Sequence, residues 1–334
     1  MRVAMLAPIS WRTPPRHYGP WELVTSLLTE ALLLRGVDVT LFATKDSLTS
    51  GNLAGVVPAP YSEDPSLDAK AWELLHVANV FERAGEFDII HNQADFVPLG
   101  FSRLVDTPVV TTIHGFSSAR IVPVFKEYED RVHYVAISDA NRHPDLRYAA
   151  TIHHGIPIDE FPFDPLGSDD LLFFGRIHPD KGAAEAIATA EAVGRHLIMA
   201  GIVQDADYHR RHVVPALGRS ATYLGPVGGL ERTRVLGSAR ALLHLINFDE
   251  PFGLSVVEAL ACGTPVIARN RGSMPELITD GVTGFLVNSA LEAVQAVERI
   301  GELDRRACRA AVSEHFTVDR MADRYLALYQ SILG

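Results

Sequence analysis

The sequence predicts an α/β protein built from two doubly wound domains. Short apolar runs typical of buried parallel strands alternate with amphipathic helical patterns in both halves of the chain. The length of 334 residues suits two medium domains, each large enough for its own core. Several of the apolar runs end in glycine, histidine or charged residues, and the carboxyl ends of parallel strands are where such folds bind ligands.

Composition limits the possible function. The formal charge of −11 argues against a nucleic-acid binder, and a hydrophobic content of 47% is ordinary for a soluble globular protein. The two cysteines, Cys262 and Cys308, offer no disulfide framework, so a reducing cytoplasm is the expected setting. The apolar run at residues 1–8 is too short for a signal peptide, and no run suggests a transmembrane segment. Peripheral membrane contact stays open, and the oligomeric state is not predicted.

The predicted domain boundaries follow a change in composition. Residues 161–170 combine proline, glycine and acidic side chains in the manner of a hinge. We therefore expect an N-terminal domain at 1–160 and a C-terminal domain at 171–315. The last segment, 316–334, has the pattern of an amphipathic helix, with apolar side chains on one face.

The first domain opens with a βαβ pattern. A buried strand at 3–7 is followed by a loop that ends at Gly19 and Pro20, a helix from Trp21, and a second strand at 37–43. Proline suits the first helical turn but removes one N–H donor. Because the loop follows a strand end, Gly19 is a candidate site residue, with a glycine needed only for a tight turn as the alternative.

Two further strands of the first domain end in histidine. The strand at 87–91 ends at His91, and the strand at 108–113 is followed by His114. Both are candidate site residues because they lie at strand ends, although a single histidine is more often a satisfied core residue. A later strand ends at Ser138, and Ser138 with Asp139 predicts the cap of a short helix.

The second domain begins with a strand that is followed by two cations. The strand at 171–174 ends at Gly175, and Arg176 and Lys181 flank the start of a helix that begins near Gly182. A helix N-terminus and two cations favour the same negative charge. These residues therefore predict a diphosphate site, with a solvated charged loop as the alternative.

Two motifs in the middle of the second domain are less specific. Asp205 and Asp207 spell an Asp-x-Asp pattern, which elsewhere binds Mn²⁺ or Mg²⁺, but it follows a predicted strand here and we interpret it as coincidence. We therefore expect no metal site. Gly228, Gly229 and Leu230 predict a glycine-rich turn that would let main chain approach a flat base closely, with a simple turn as the alternative.

Two carboxylates stand eight positions apart after the next strand. Glu250 lies in the loop that leaves the strand at 241–245, and Glu258 lies in the following helix. The N–H groups of Phe252, Gly253 and Leu254 begin that helix, where anions bind well. A carboxylate for hydroxyls, donors for phosphate and a second carboxylate one turn deeper together suit a nucleotide sugar.

This stretch, EPFGLSVVEALACGTPVIA, resembles the E-x7-E motif of retaining glycosyltransferases of family 4. The resemblance recurs in the segment from Gly175 to Gly182, which is similar to the family's G-R-x-x-x-x-K-G segment. It implies the GT-B fold, with two Rossmann-like domains facing across a cleft and the last helix crossing back to the first domain. It also implies metal-independent transfer of a sugar from a UDP- or GDP-type donor to an acceptor hydroxyl, with no cofactor.

The resemblance also implies roles for individual residues. Arg176 and Lys181 would bind the leaving diphosphate, and His114 would reach the transferred sugar. Glu250 would hold sugar hydroxyls and Glu258 the ribose hydroxyls. Other expected donor-site residues are Gly175, Phe252, Gly253, Leu254, Gly228, Gly229 and Leu230, with Gly19 and His91 on the acceptor side. No residue is assigned as a covalent nucleophile.

Three other interpretations remain. An epimerase that acts on nucleotide sugars uses the same GT-B arrangement and would turn over without an acceptor. A nicotinamide-dependent dehydrogenase also has two doubly wound domains, but no G-x-G-x-x-G follows any predicted strand. A sugar-binding protein without catalysis would have no need of the full set of Arg176, Lys181, Glu250 and Glu258. The acceptor cannot be named from the sequence.

Overall fold

The computed structural model describes residues 1–16, 18–116 and 118–334. The chain divides into two compact units. The N-terminal unit comprises Met1–Gly155 and Val318–Gly334, and the C-terminal unit comprises Ile156–Thr317. The sequence-predicted boundary at residue 160 and the predicted hinge at 161–170 both lie inside the C-terminal unit of this division.

Helices and strands mostly alternate along the chain, and three helices follow one another at its C-terminal end. Up to residue 155 the elements are β1 (Arg2–Leu6), α1 (Pro20–Leu34), β2 (Asp38–Phe42), β3 (Asn52–Ala54), α2 (Ala69–Glu82), β4 (Ile89–Asn92), β5 (Val109–Ile113), α3 (Val122–Glu127), β6 (Val132–Ala136) and β7 (Ala150–Thr151). They continue with β8 (Leu171–Phe174), α4 (Ala183–Ala192), β9 (Leu197–Ala200), α5 (Ala206–Tyr208), β10 (Ala221–Tyr223), α6 (Gly229–Ser238), β11 (Ala241–His244), α7 (Leu254–Ala261), β12 (Val266–Arg269), α8 (Met274–Leu277), β13 (Gly284–Val287), α9 (Ala290–Arg299), α10 (Arg305–His315) and α11 (Val318–Leu333).

Each unit contains one parallel sheet. The strand order is β3-β2-β1-β4-β5-β6-β7 in the N-terminal unit and β10-β9-β8-β11-β12-β13 in the C-terminal unit. Every neighbouring pair is parallel. The order reverses direction between β1 and β4 and again between β8 and β11. In open α/β sheets, ligands bind beyond the carboxyl ends of the strands at such a point.

The continuous apolar runs become strands because helices cover the sheets. Residues 3–7 are fully buried, and β8 and β11 are almost entirely so. A run of apolar residues without alternation is stable only where water is excluded from both sides of the strand. In the C-terminal unit a line of small residues, Ala183, Ala186 and Ala190, lets α4 pack closely against the strands.

Two local predictions differ from the structure. No helix begins at Ser138 in the described chain, where residues 137–141 form bends and turns. The Ser138 hydroxyl accepts the Asn141 N–H at 3.0 Å, which is cap geometry, but Pro144 disfavours helical backbone immediately before it. The apolar pattern of residues 291–311 predicts one amphipathic helix, but the structure has two there, α9 and α10, separated by residues 300–304.

Among the described residues, no helix combines the length and the apolar character that crossing a bilayer requires.

Candidate functional site

The loops after β8 and β11 meet at the reversal point of the C-terminal sheet. The Asn247 N–H donates to the Asp180 carbonyl at 2.7 Å, which ties the two loops together. Gly182 has a left-handed φ of 74°, and a Cβ at this position would lie 2.0 Å from the Leu245 carbonyl oxygen. Only glycine permits this close approach. The approach places Lys181, next to Gly182, beside the loop that carries Glu250.

Lys181 and Glu250 form an ion pair. The Lys181 Nζ lies 2.5 Å from the Glu250 Oε2, and both side chains are about five-sixths buried. The same ammonium lies 4.5 Å from the centroid of the Phe248 ring, a cation–π distance. The structure therefore brings together a residue predicted to bind diphosphate and a residue predicted to bind sugar. The two are 69 positions apart in the sequence.

Arg176 lies in the same loop as Lys181 but has different partners. Its guanidinium donates to the Gln204 side-chain oxygen and lies 3.5 Å from the Asp180 carboxylate. Gly175, the residue before it, donates its N–H to the Ala200 carbonyl at 2.9 Å and so continues the pairing of β8 with β9. Arg176 is therefore held at the strand end by neutral and acidic groups of its own unit.

The start of α7 is shaped by Gly253. This residue has a φ of 104° and precedes Leu254, the first residue of the helix. The Ser273 hydroxyl donates to the Phe252 carbonyl, and the Ser273 N–H donates to the Glu250 carbonyl at 3.0 Å. These bonds fix the backbone between the two glutamates. The helix start therefore presents its first N–H groups in a fixed direction.

Glu258 is buried and paired with Arg232. The Arg232 guanidinium donates to both carboxylate oxygens, and the Glu258 residue is only 1% exposed. Burial raises the pKa of Glu258, and the charge of Arg232 opposes that rise. Arg232 also lies over the Phe174 ring at 5.6 Å. Sequence reasoning missed Arg232, because no local pattern distinguishes it from Arg234, the other arginine of α6.

His244 is a second residue that the sequence did not reveal. It is the last residue of β11, it is 5% exposed, and its Nε2 lies 3.8 Å from the Glu250 Oε2. Across the part of the chain that the structure describes, this Nε2 has no hydrogen-bond partner. Burial, with a smaller contribution from the Lys181 charge, lowers the pKa of His244 to about 3, so the imidazole is neutral. The only signal in the sequence was a polar residue at the end of an apolar strand.

In the N-terminal unit, His114 lies in a buried hydrogen-bond network. Its Nε2 is 2.7 Å from the Gln93 Oε1, and its Nδ1 is 3.3 Å from the His154 Nε2. The Trp21 ring stacks on the imidazole, with centroids 5.1 Å apart. Burial and the neighbouring His91 lower the pKa of His114 to about 3. Sequence reasoning selected His114 but not the three side chains around it.

His91 is fully buried in the same network. Its Nδ1 lies 2.5 Å from the Tyr329 hydroxyl of α11, and its Nε2 lies 2.8 Å from the Thr112 hydroxyl. Gln93 contacts the same Nε2 at 3.1 Å. Burial lowers the pKa of His91 to about 3. This environment is that of a structural histidine, and His91 as an acceptor-side residue stays a prediction.

Gly19 precedes α1 at the end of the loop after β1. A Cβ on Gly19 would lie 2.9 Å from both the Glu22 carboxylate and the Pro15 Cβ. Glu22 is buried and accepts hydrogen bonds from the Ser10 hydroxyl at 2.9 Å and the Trp11 N–H at 3.2 Å. The close packing around this position is enough to explain why it is a glycine. An acceptor-side role for Gly19 stays a prediction.

The glycine-rich segment before α6 differs from the predicted turn. Helix α6 begins at Gly229, so Gly229 and Leu230 belong to its first turn. No atom lies within 4 Å of a Cβ built on Gly228 or Gly229, and Leu230 is 85% exposed. The space beside the two glycines is therefore open on the side where a Cβ would stand, and the contact of this segment with a base stays a prediction.

Among the described residues, no group of three or more histidine, cysteine, aspartate or glutamate side chains has the arrangement of a metal site. The two residues of the Asp-x-Asp pattern have other partners. Asp205 accepts the Tyr208 N–H at 2.9 Å and caps α5, and Asp207 lies 2.5 Å from Arg210.

Comparison with protein families identifies two matching models. The model for glycosyl transferases group 1 matches residues 159–307, and the model for glycosyltransferase family 4 matches residues 22–160. The first match contains the Lys181–Glu250 and Glu258–Arg232 pairs, and the second contains His91 and His114.

Curated relatives include the D-inositol 3-phosphate glycosyltransferases of Mycobacterium bovis and Mycobacterium tuberculosis. Each is 32% identical to the chain over 242 residues, which are 67% of this chain and 46% of the relative. The match thus spans about half the length of these relatives.

Solved structures match over nearly the whole chain. The avilamycin A biosynthesis glycosyltransferase AviGT4 is 25% identical with a TM-score of 0.74, and the match covers 100% of this chain and 98% of that one. Sucrose-phosphate synthase from Thermosynechococcus elongatus is 18% identical with a TM-score of 0.81, covering 99% of both chains. Anabaena HepE, crystallised with UDP, is 19% identical with a TM-score of 0.75, covering 99% of this chain and 100% of that one.

The two parallel sheets and these structural neighbours confirm the GT-B fold that the sequence predicted. The two family models and the curated relatives confirm the resemblance to glycosyltransferases of family 4. The chain belongs to the glycosyltransferases of the GT-B fold that the group 1 and family 4 models describe.

Proposed function

We propose that this protein transfers a sugar from a nucleoside diphosphate sugar to an acceptor hydroxyl, with retention of anomeric configuration and without a metal. The observation that carries the proposal is the contact between Lys181 and Glu250 at the reversal point of the C-terminal sheet. A cation for phosphate and a carboxylate for sugar hydroxyls stand together where the fold binds ligands.

The cations would act on the leaving group. As the bond between the anomeric carbon and the diphosphate oxygen breaks, negative charge grows on the diphosphate. Lys181 and Arg176, with the start of α4 beside them, stabilise that charge. Glu250 pairs with Lys181 in this structure, so a bound diphosphate competes with Glu250 for the ammonium.

The two glutamates would bind hydroxyl groups of the donor. Glu250 accepts from the transferred sugar, and the N–H groups at Phe252, Gly253 and Leu254 orient sugar and phosphate. Glu258 accepts from the ribose, and since it is already paired with Arg232, the ribose shares the carboxylate with that guanidinium. Gly175 and the segment from Gly228 to Leu230 complete the proposed donor site.

Retention is proposed without a covalent intermediate. The acceptor oxygen forms its bond on the face that the diphosphate leaves, and a diphosphate oxygen takes the acceptor proton. Glu250 serves as a hydroxyl ligand, a role that its pairing with Lys181 suits. If Glu250→Gln retains most of its turnover, a nucleophilic role is excluded.

We assign the acceptor to the N-terminal unit, with Gly19 and His91 as its predicted residues, and we assign His114 to a contact with the transferred sugar. His114 would act as a neutral group, because burial keeps it uncharged. Both of its ring nitrogens already have partners, so a contact with the sugar requires the bond to Gln93 or to His154 to open.

UDP is the first nucleotide to examine. The HepE structures contain UDP or UDP-glucose, and HepE shares the fold of this chain. We also propose the cytoplasm as the location, because Cys262 and Cys308 are both free and buried. The acceptor of the curated relatives, an inositol phosphate by their name, is one candidate among small molecules, glycans and lipids.

The proposal is tested by thermal stabilisation against UDP, GDP, ADP, dTDP, CMP and NAD, with and without EDTA. A ligand that binds only the native state raises the melting temperature by mass action. We expect one nucleoside diphosphate to raise it, EDTA to make no difference, and Lys181→Ala and Glu258→Ala to abolish the shift.

The matched control is Arg195→Ala in the same unit. Arg195 pairs with Asp169 at the opposite edge of the sheet, before the strands begin, and its loss removes one positive charge far from the proposed site. This variant should keep the full shift. A shift with NAD alone, or one that EDTA removes, would contradict the proposal.

A further inference from the structure

Beside the Lys181–Glu250 pair lies a buried imidazole that the proposed chemistry does not yet use. The His244 Nε2 is directed toward Glu250, at 3.8 Å from its Oε2, which is too long for a hydrogen bond. Within the described residues this nitrogen has no partner, although the residue is 5% exposed. Buried polar atoms are nearly always satisfied, so an orphaned one at a ligand site requires an explanation.

We propose that His244 is the positioning residue for Glu250: its Nε2–H becomes the donor to the carboxylate when a bound diphosphate draws Lys181 away. The part of this inference that involves a ligand rests on the proposed function. His244 touches no substrate in this account and acts only through Glu250.

The need for a second donor follows from the ion pair. When the Lys181 ammonium moves to a phosphate, the Glu250 Oε2 loses its partner at 2.5 Å while the side chain stays largely buried. An unpaired, partly buried carboxylate is costly, and it is free to turn away from the sugar. A carboxylate movement of about 1 Å brings Oε2 within hydrogen-bond distance of the His244 Nε2.

The neutrality of the imidazole suits this role. Burial and the neighbouring Lys181 keep His244 uncharged, with a pKa lowered to about 3. A neutral N–H donor holds the carboxylate without cancelling its charge. Glu250 therefore keeps its full strength as an acceptor for sugar hydroxyls, which a second ammonium in place of His244 would weaken.

A pair of variants separates hydrogen bonding from space filling. Glutamine places its Nε2 near the position of the histidine Nε2, whereas methionine has a similar length and no donor. His244→Gln should therefore preserve the function of His244, and His244→Met should remove it. If the residue only fills space, the two variants behave alike.

The first experiment needs no ligand. In the Lys181→Met protein the competing ammonium is absent, so His244 should donate to Glu250 permanently. We expect the ¹⁵N-imidazole NMR spectrum to show His244 protonated at Nε2, with its proton signal shifted downfield relative to the wild type. The signal is assigned by its loss in His244→Gln, and the shift should disappear in Lys181→Met/Glu250→Ala. An unchanged His244 signal in Lys181→Met would overturn the proposal.

The second experiment compares UDP with UDP-glucose by calorimetry. Because Glu250 contacts the sugar, His244→Met should weaken UDP-glucose binding about tenfold, the size expected for one hydrogen bond to a charged group, and leave UDP binding within about twofold. His244→Gln should retain the wild-type affinity for both.

The control is His76→Gln, which alters an equally buried histidine of the N-terminal unit whose Nε2 bonds the Ala7 carbonyl. It should change neither affinity. Equal losses in His244→Met and His244→Gln would refute the positioning role. If the wild-type protein binds neither UDP nor UDP-glucose, the choice of donor is wrong, and the ligand-free NMR experiment alone decides the role of His244.

Discussion

The two units place very different chemistry at the same point of the same topology. In the N-terminal unit, the strand ends at the reversal point carry His91 and the neutral hydrogen-bond network that leads to His114. In the C-terminal unit, they lead to Lys181 and Glu250, an ion pair. The topology thus decides where a site lies, and the side chains decide what it binds.

The difference also affects how each region responds to a ligand. An ion pair can exchange one partner for a charged ligand, because phosphate offers Lys181 the same kind of contact that Glu250 does. A closed network of neutral donors and acceptors has no spare charge to exchange, and it is better suited to holding side chains in one orientation. We therefore expect the C-terminal unit to respond to phosphates and the N-terminal unit to respond to pH.

Acidification should give the largest effect and should act mainly on the N-terminal unit. Burial lowers the pKa values of His91 and His114 to about 3 and that of His76 to about 4, and it also lowers the pKa of His154. The unfolded chain binds protons near the ordinary value of ~6.5, so stability is complete above that pH and falls as the pH drops toward 4 and 3. At pH 5 we expect His91, His114 and His76 each to lower the free energy of unfolding by about 2 kcal/mol.

All three tryptophans, Trp11, Trp21 and Trp72, lie in the N-terminal unit, so their fluorescence reports on it alone. In urea unfolding followed by fluorescence, the free energy of unfolding should fall steeply between pH 7 and pH 5. Amide exchange in the C-terminal unit, corrected for intrinsic rates, should change less with pH. Among the described histidines of that unit, only His244 has a lowered pKa. An equal loss in both units would contradict the comparison.

The next effect concerns the Arg232–Glu258 pair. Arg232→Met leaves a carboxylate buried without its cation, which typically costs about 3–5 kcal/mol. Burial then raises the pKa of Glu258 further, so the folded state binds a proton that the unfolded state releases. The variant should therefore lose most stability, relative to the wild type, at pH 8 and less near pH 5.

Urea unfolding of the C-terminal unit, followed by amide exchange, measures this loss. The control is Arg219→Met, which breaks an exposed pair with Glu191 and should leave the free energy of unfolding almost unchanged. A loss of stability in Arg232→Met that is independent of pH would show that Glu258 is not a buried carboxylate whose pKa rises when its cation is removed.

The smallest effect comes from opening the neutral network at one bond. Gln93→Leu removes the acceptor of the His114 Nε2 and a contact to His91, and a buried group left unsatisfied costs about 1–3 kcal/mol. Gln330→Leu, on the exposed side of α11, should stay within about 0.5 kcal/mol. Fluorescence-detected unfolding compares the two, and similar losses would mean that the network adds no stability.

The sequence predicted the fold from patterns that are local. The apolar runs became strands, and the starts of α4 and α7 follow Gly182 and Gly253 as expected. The helix after Ser138 was wrong because a serine cap also occurs in an isolated turn. Local sequence signals therefore predict helices and strands well, and they predict helix caps less well.

Partners could not be predicted in the same way. The contact between Lys181 and Glu250 joins residues 69 positions apart, and the contact between His91 and Tyr329 joins residues 238 apart. Such pairs depend on how strands order themselves in the sheet, which no periodicity records. Arg232 and His244 were missed for this reason, although both lie against glutamates that the motif did identify.

The central claim is that a diphosphate replaces Glu250 as the partner of Lys181. The most direct measurement is calorimetric titration of UDP and GDP, in the presence of EDTA, into the wild type, Lys181→Met and Arg195→Met. The account predicts that one nucleotide binds the wild type, that Lys181→Met weakens it at least about tenfold through the loss of one charge-assisted contact, and that Arg195→Met binds it normally. Equal affinity in Lys181→Met and the wild type, or binding that requires a divalent metal, would contradict it.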